Sequence, residues 1–346
     1  MEQLKIEKMR KFYDLFPYPN RPFFIAPKLE LQLVAHGGFA HFILQGKLDQ
    51  AKKIRLINSN DYKDKKFLAP SLAKEYTESL EIAFPKDKRI LLVGCGTDEP
   101  LLFRKLHPEN EILAVDLSKN AIHKARKKIS FYLFLQSLGW HKKKPQMVEF
   151  LVGNAEMVLR EKAIGNFDFI QCFGVIHHQP QPYFLLNAMV ERLNSFGIIR
   201  LMVYSFHGRK LERRIQSRYE NIWNLFLKKR IFKSKLFFNY FKLRFWQFFN
   251  FFGIFSSTFL RFRYLGPGST TVADALMHPC DPGIPLTDIY NICVSLGLRL
   301  IYCEGKLENE GYLYGFEQPE LTWQKIVEGD RKQELLSNPV LIFCKA

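Results

Sequence analysis

An α/β fold with a mostly parallel sheet, covered by helices on both faces, is predicted from three observations. Short and fully apolar runs recur from residue 89 onward, helix-like stretches separate them, and a glycine turn follows the first run directly. The runs are "RILLV" (89–93), "ILAV" (112–115), "VEFLV" (148–152), "FDFIQCF" (167–173) and "GIIRLMVYS" (197–205). Strands buried on both faces read as continuous apolar text, whereas a half-exposed sheet would alternate apolar and polar residues. After a long interruption come a helix in "PLTDIYNICVSLG" (285–297), a strand in "LRLIYCE" (298–304) and a last strand in "PVLIFCKA" (339–346). Such a sheet binds its ligand at the carboxyl ends of the strands, near the point where strand order reverses.

The text before residue 85 reads as irregular and helical. "FYDLFPYPNRPFF" (12–24) is aromatic and broken by prolines, which predicts an extended arm in place of a helix. A helix is expected over "PSLAKEYTESLEIAF" (70–84), with Pro70 in its first turn. The chain shows no internal repeat.

The 346 residues, 47% hydrophobic and 25% charged, are enough for one main domain with additions and exclude wholesale disorder. The charged start "MEQLKIEKMRKF" has no apolar stretch of the kind a secretory signal needs, so a cytoplasmic protein is expected. Six scattered cysteines without a C-x-x-C pair point to buried, reduced thiols and away from a zinc site or disulfide framework. The net charge of +17 is concentrated: residues 209–263 hold fourteen basic residues against Glu212 and Glu220.

The stretch "LLVGCGTDEP" (91–100) carries the chemistry. Gly94 and Gly96 follow the first strand, where the backbone must approach a ligand closely. A dinucleotide site would set a pyrophosphate on the next helix N-terminus and use a third glycine. Here Asp98 and Glu99 stand in that place, and two carboxylates would repel a diphosphate. Asp116 ends the second strand, twenty positions beyond Gly96, where a carboxylate holds ribose hydroxyls. A nucleoside without phosphates answers this pattern, and S-adenosylmethionine is one.

The ordered motifs "ILLVGCGTDEP", "AVDLS", "GNAEMV", "FDFIQCFGVIHHQPQP" and "LNSFGIIRLMVYS" resemble the class I S-adenosylmethionine-dependent methyltransferases. They are most similar to the bacterial branch near the ubiquinone and menaquinone methyltransferases. The resemblance covers residues 85–205, and the two final strands more loosely. It implies a Rossmann-like sheet of seven strands with the last antiparallel, and S-adenosylmethionine as cofactor. It places Gly94, Cys95 and Gly96 at the methionine end, Asp116 on the ribose and Leu117 on the adenine. Asn154 and Ala155 fall where the family carries Asp-Ala against the adenine; an amide oxygen there accepts without charge assistance. Phe173 and Gly174 fall beside the transferable methyl group.

The catalytic candidates are His177, His178 and Tyr204. A histidine near the methyl could take a proton from the acceptor, or the pair could anchor the loop after the fourth strand. Tyr204 faces the cleft by position, with packing as its alternative role. Tyr13 and Tyr18 resemble an arm that folds over the cofactor in related enzymes. His278 and Asp281 could reach the substrate pocket, or could belong to a helix-initiating turn.

Four segments follow: an N-terminal arm and helical cap (1–84), the cofactor-binding core (85–205), a basic aromatic helical insertion (206–284) and a C-terminal completion of the sheet (285–346). The insertion has three readings. It is a lid packed on the core, an interfacial helix contacting an anionic membrane, or an RNA-binding surface. The uncharged window from Phe245 to Leu260 falls short of the ~20 residues that a membrane span needs. The expected activity is methyl transfer by in-line displacement, without a metal, to an unidentified acceptor, with small-molecule or lipid-like acceptors favoured. A catalytically degenerate binding module and an RNA methyltransferase are the alternatives.

Overall fold

In the computed structural model, residues 2–19, 21–22, 33–58, 78–140, 146–228, 233–234, 238, 240–241 and 271–346 are described. The sheet is built by β1 (Arg89–Val93), β2 (Glu111–Asp116), β3 (Val148–Val152), β4 (Phe167–Phe173), β5 (Leu193–Met202), β6 (Leu298–Leu307), β7 (Gly311–Tyr314) and β8 (Val340–Lys345). Its order is β3-β2-β1-β4-β5-β8-β6-β7, with β1 to β5 mutually parallel and β8 antiparallel to both β5 and β6. The strand order therefore reverses between β1 and β4, beside the glycine turn.

The sheet has eight strands where seven are expected. The extra one, β7, is a four-residue hairpin return onto the edge of β6, pairing Glu304 with Tyr314 and Leu307 with Gly311. A segment this short has too little text to show a period.

The period of two divides the strands between two cores. Leu91, Val93, Leu113, Val115, Ile170 and Leu201 face one, and Ile90, Leu92, Ile112, Ala114, Phe169 and Ile198 face the other. The second core is covered partly by the N-terminal segment. Phe39 and Phe42 of α2 (Gly37–Leu44), Ile54 of α3 (Leu48–Asn58) and Leu80 of α4 (78–83) are buried there. Phe39 meets Tyr302 of β6 edge to face at 5.5 Å between ring centroids. The described residues among the first eighty-odd are thus structural cover for the sheet as well as an arm. The predicted helix over 70–84 is described only from residue 78.

The arm itself corrects the sequence reading. Residues 12–15 are helical, as the end of α1 (Glu2–Leu15). Proline restrains the residue before it, so Pro17 acts on Phe16 and leaves the preceding turn free to stay helical. Burial decides the matter: Phe12 and Phe16 pack with Trp223 and Met277 in a small separate core. Residues 17–19 and 21–22 have left the helix and form a short strap; the remainder of "FYDLFPYPNRPFF" lies outside the described residues.

Two helices continue the site. α5 (Glu99–Leu106) follows β1, and α6 (Lys119–Leu135) follows β2; α7 (Ala155–Arg160) and α8 (Pro182–Glu191) come after β3 and β4. Of the insertion, α9 (Lys210–Leu227) and α10 (Thr271–Leu276) are described, and they pack together through Gln216, whose side chain donates to the Ala275 carbonyl at 2.9 Å. Most of the phenylalanine-rich stretch, including Phe245 to Leu260, lies outside the described residues. Among those described, no helix is long and apolar enough to cross a membrane. All six cysteines are buried and unpaired.

Candidate functional site

A cavity of about 350 Å³ opens at the carboxyl ends of β1, β2, β4 and β5. Gly94, Cys95, Gly96, Asp116, Leu117, Phe173 and Gly174 line it, as do His178 and Tyr204. Asn154, Ala155 and His177 are not among its lining residues. Asn154 caps the helix Ala155–Arg160, its side-chain oxygen accepting from the Glu156 N–H at 3.0 Å, and Ala155 packs against the core.

Asp116 holds the first two loops together. One of its carboxylate oxygens accepts from the Gly96 N–H at 2.9 Å, and the other accepts from the Ser118 N–H at 2.8 Å. Burial pushes its carboxyl up to about 6, while these two bonds pull it back down. Ser118 caps α6 by accepting from the Ala121 N–H, and its hydroxyl donates to Asp14 of the arm at 2.8 Å. The Asn120 side chain donates to the Asp14 carbonyl at 2.7 Å. The arm is therefore anchored on the loop that carries Asp116.

It is anchored on the glycine turn too. The Tyr18 carbonyl accepts from the Thr97 N–H at 3.2 Å, and the Thr97 hydroxyl donates to the Pro19 carbonyl. Gly94 and Gly96 both have positive φ, at 64° and 55°. A Cβ on Gly94 would stand 2.3 Å from Val175 Cγ2. These glycines accommodate the protein's own packing as well as an approaching ligand.

The charge of the turn differs from what its two acids suggest. Asp98 forms an ion pair with Lys128, whose side chain is 3% exposed, and lies 3.5 Å from Arg21. Glu99 is pushed up to about 8 by burial, which outweighs the hydrogen bond from Gln171 at 3.3 Å. One acid is thus compensated and the other holds a proton at neutral pH. The exclusion of a diphosphate rests instead on the lining: no Lys or Arg among the described residues lines the cavity. Glu99 Oε2 is buried there with no hydrogen-bond partner.

The far wall is a polar cluster that the sequence reading identified only in part. Asp274, from α10 of the insertion, accepts from the Tyr13 hydroxyl at 3.0 Å and from the Tyr204 hydroxyl at 3.1 Å. Neither Asp274 nor its two tyrosine bonds was expected. The available signal was a carboxylate inside the apolar run "TVADALM". His278 lies behind the wall: its Nδ1 accepts from the Cys280 N–H at 3.1 Å, and its Nε2 stands 3.1 Å from the Tyr13 hydroxyl oxygen. Asp281 does not line the cavity and sits 3.8 Å from Arg209, whose guanidinium covers the Tyr204 ring at 3.7 Å.

Backbone bonds fix the tautomers of the paired histidines. His177 Nδ1 accepts from the Tyr204 N–H at 3.2 Å, so the proton of this ring lies on Nε2. His178 Nδ1 donates to the Cys280 carbonyl at 2.8 Å, so its Nε2 carries a lone pair, buried and without a partner. Burial lowers the pKa of both rings, keeping them neutral. His177 is built as an anchor and His178 as an acceptor. Donor atoms of His178, Asp274 and His278 lie within 4.8 Å of one another. However, His278 spends its lone pair on the Cys280 N–H, and its ring stacks on His178 at 3.7 Å, so the three do not converge as ligands on a common metal.

Residues 85–236 match the model of a methyltransferase domain. An uncharacterised protein from Synechococcus is 30% identical over 134 residues, covering 37% of this chain and 28% of the relative. Among solved structures, PKMT2 from Rickettsia typhi is similar at 17% identity and a TM-score of 0.47, covering 75% of this chain and 49% of that one. The same protein in complex with AdoHcy gives 18% and 0.46. A SAM-dependent methyltransferase from Methanosarcina mazei gives 14% and 0.38, covering 76% of this chain and 94% of its own. The chain spans under a third of the curated relative and about half of the Rickettsia protein.

Proposed function

We propose that this chain, whose residues 85–236 match the model of a methyltransferase domain, is a class I S-adenosylmethionine-dependent methyltransferase that transfers the methyl group of that cofactor to an acceptor held against the insertion. The observation that carries the reading is the Asp116 carboxylate at the end of β2. It lines the cavity, is tied to the Gly96 and Ser118 amides, and retains lone pairs for ribose hydroxyls. The lining fits the cofactor in two further respects. It offers no cation for phosphates, and the neutral Glu99 carboxyl has a buried oxygen without a partner that can accept a hydrogen bond from an ammonium group.

When bound, S-adenosylmethionine supplies a methyl group activated by the sulfonium. The residues of this chain supply position and exclusion of water. Asp116 and Leu117 hold the nucleoside end, and Gly94, Cys95 and Gly96 give the methionine end a close approach. Phe173 and Gly174 close the floor beside the reacting carbon. The strap over Gly96 and the α1 anchor on Asp14 seal the site from solvent. Holding the reactants in line contributes most of the acceleration in such chemistry, with a proton acceptor adding about 10²–10⁴. His178 is the histidine suited to that task, with His177 and Tyr204 as its support.

Asn154 contributes through its cap, which positions α7 (Ala155–Arg160) near the nucleoside end. We read residues 206–284 as the acceptor-recognition insertion, since α10 brings Asp274 to the cavity. Isothermal titration with S-adenosylhomocysteine tests the reading. Binding in the micromolar range, reduced at least tenfold by Asp116→Ala, is expected, and no binding by the wild-type protein would overturn it.

A further inference from the structure

The wall opposite the glycine turn constrains the acceptor, granted the methyltransferase reading. In a chain of net charge +17, this cavity is lined by Asp98, Glu99, Asp116 and Asp274, and among the described residues by no Lys or Arg. The first three belong to the cofactor side. Asp98 has its own cation in Lys128, and Asp116 is committed to two amides. Asp274 has only neutral donors, the hydroxyls of Tyr13 and Tyr204. Arg209 stands outside the lining, stacked on Tyr204 and close to Asp281, and its charge also reaches Asp274 through space without bonding to it. A buried carboxylate bonded by neutral groups attracts a cation, and aromatic rings around it favour one further.

His178 supplies the second requirement. One of its ring nitrogens lies within 4.8 Å of an Asp274 oxygen, and its Nε2, in a ring that lines the cavity, has no partner. The Asp274 carboxylate and His178 Nε2 are both acceptors, although Gln179, Asn338 and the Tyr18 hydroxyl, which also line the cavity, can donate. An acceptor without N–H or O–H would give those two groups nothing to bond, and an alcohol would have one hydrogen to share between them.

We propose that the methyl acceptor is an amine, received as its ammonium by Asp274 between Tyr13 and Tyr204 and relieved of one proton by His178 Nε2. The freed nitrogen lone pair forms the new N–C bond. The C–S bond breaks as it forms, and its electron pair stays on sulfur. The proton passes from the ammonium to the imidazole and leaves to solvent after the product departs.

The test uses the full chain saturated with S-adenosylhomocysteine and three probes of one shape: benzylamine, benzyl alcohol and benzoate. Isothermal titration at pH 7.5 is expected to give benzylamine at least tenfold tighter than either counterpart. Asp274→Asn should bring benzylamine within threefold of benzyl alcohol while S-adenosylhomocysteine affinity stays within threefold of wild type. If that variant loses S-adenosylhomocysteine binding through misfolding, Tyr204→Phe, which keeps the ring, should weaken benzylamine at least threefold and leave the alcohol unchanged. Equal affinity for the three probes, a preference for benzoate, or a preference for the amine that survives in the folded variant would overturn the proposal. Failure of the wild type to bind S-adenosylhomocysteine would instead defeat the reading on which it rests.

Discussion

The carbonyl oxygen of Tyr18 stands 2.5 Å from the point that a Cβ on Gly96 would occupy. The strap thus touches the glycine turn through backbone alone, and side-chain rearrangement cannot relieve the contact. A residue with a Cβ would also be strained at φ 55°, costing about 1–3 kcal/mol. Gly96→Ala should therefore displace the strap, speed hydrogen exchange of the Thr97 amide that donates to the Tyr18 carbonyl, and weaken S-adenosylhomocysteine at least tenfold. Unchanged exchange and affinity would show that the strap does not seal the site.

Asp116 distinguishes a charge role from a scaffold role. Asp116→Asn keeps an acceptor for one amide and loses the negative charge and one acceptor site. An intermediate loss of cofactor affinity, smaller than for Asp116→Ala, is expected. Equal losses in the two variants, measured by titration calorimetry, would assign the residue to the loop scaffold alone.

Lys128 should be costly to remove. Its side chain is 3% exposed, and it compensates Asp98, which is 10% exposed. Removing one partner of a buried pair leaves an uncompensated charge, worth about 3–5 kcal/mol in well-buried cases. Arg21, at 3.5 Å from Asp98, covers part of this, so Lys128→Met is expected near the lower end. Urea denaturation measures it, and restoration by the added change Asp98→Asn would identify the orphaned charge as the cause.

Acid should destabilise the fold below about pH 6.5. Burial lowers His36 to about 3 and places His107, His177, His178 and His278 below the ordinary value as well. The unfolded chain binds protons on these rings near 6.5 and the folded chain does not, so their contribution is present above 6.5 and lost as pH falls. Glu99 acts in the opposite sense, since its proton is held up to about pH 8 in the fold and released near 4.3 when unfolded. Asp116, raised to about 6, adds to that opposing effect. Five histidines outnumber two acids, so the urea midpoint should drop between pH 7 and 5.5. Glu99→Gln should steepen the drop. A flat profile over that interval would contradict the neutral burial of these rings.

His177 should behave as an anchor. Its Nδ1 bond to the Tyr204 amide holds the residue whose hydroxyl meets Asp274. His177→Asn, which leaves a side-chain acceptor, should lower the denaturation midpoint slightly. His177→Leu, which removes the acceptor, should lower it more, by about 1–3 kcal/mol for an unsatisfied buried amide. Equal midpoints for the two would remove the hydrogen bond from the account.

The strands, the glycine turn and the carboxylate after β2 were legible because each is written in a few consecutive residues. An apolar run is a strand wherever a sheet buries it, and a turn of positive φ needs its glycine locally. Residues 12–15 were misread because their helix depends on Phe12 meeting Trp223, a contact across more than two hundred positions. β7 escaped because four residues on a sheet edge carry no period. Asp274 escaped for a related reason: its meaning comes from Tyr13, 261 positions away, and Tyr204, 70 away.

The sequence by itself determined the class of fold, the order of the motifs and the place of the carboxylate that ends β2, because these follow from local pattern and covalent order. Only the tertiary structure decided the charge of the site. Asp98 is compensated because α6 delivers Lys128 to it, and Glu99 keeps its proton because the sheet and α5 exclude water from it. Protonation states depend on solvation and on neighbours in space, and neither is written along the chain.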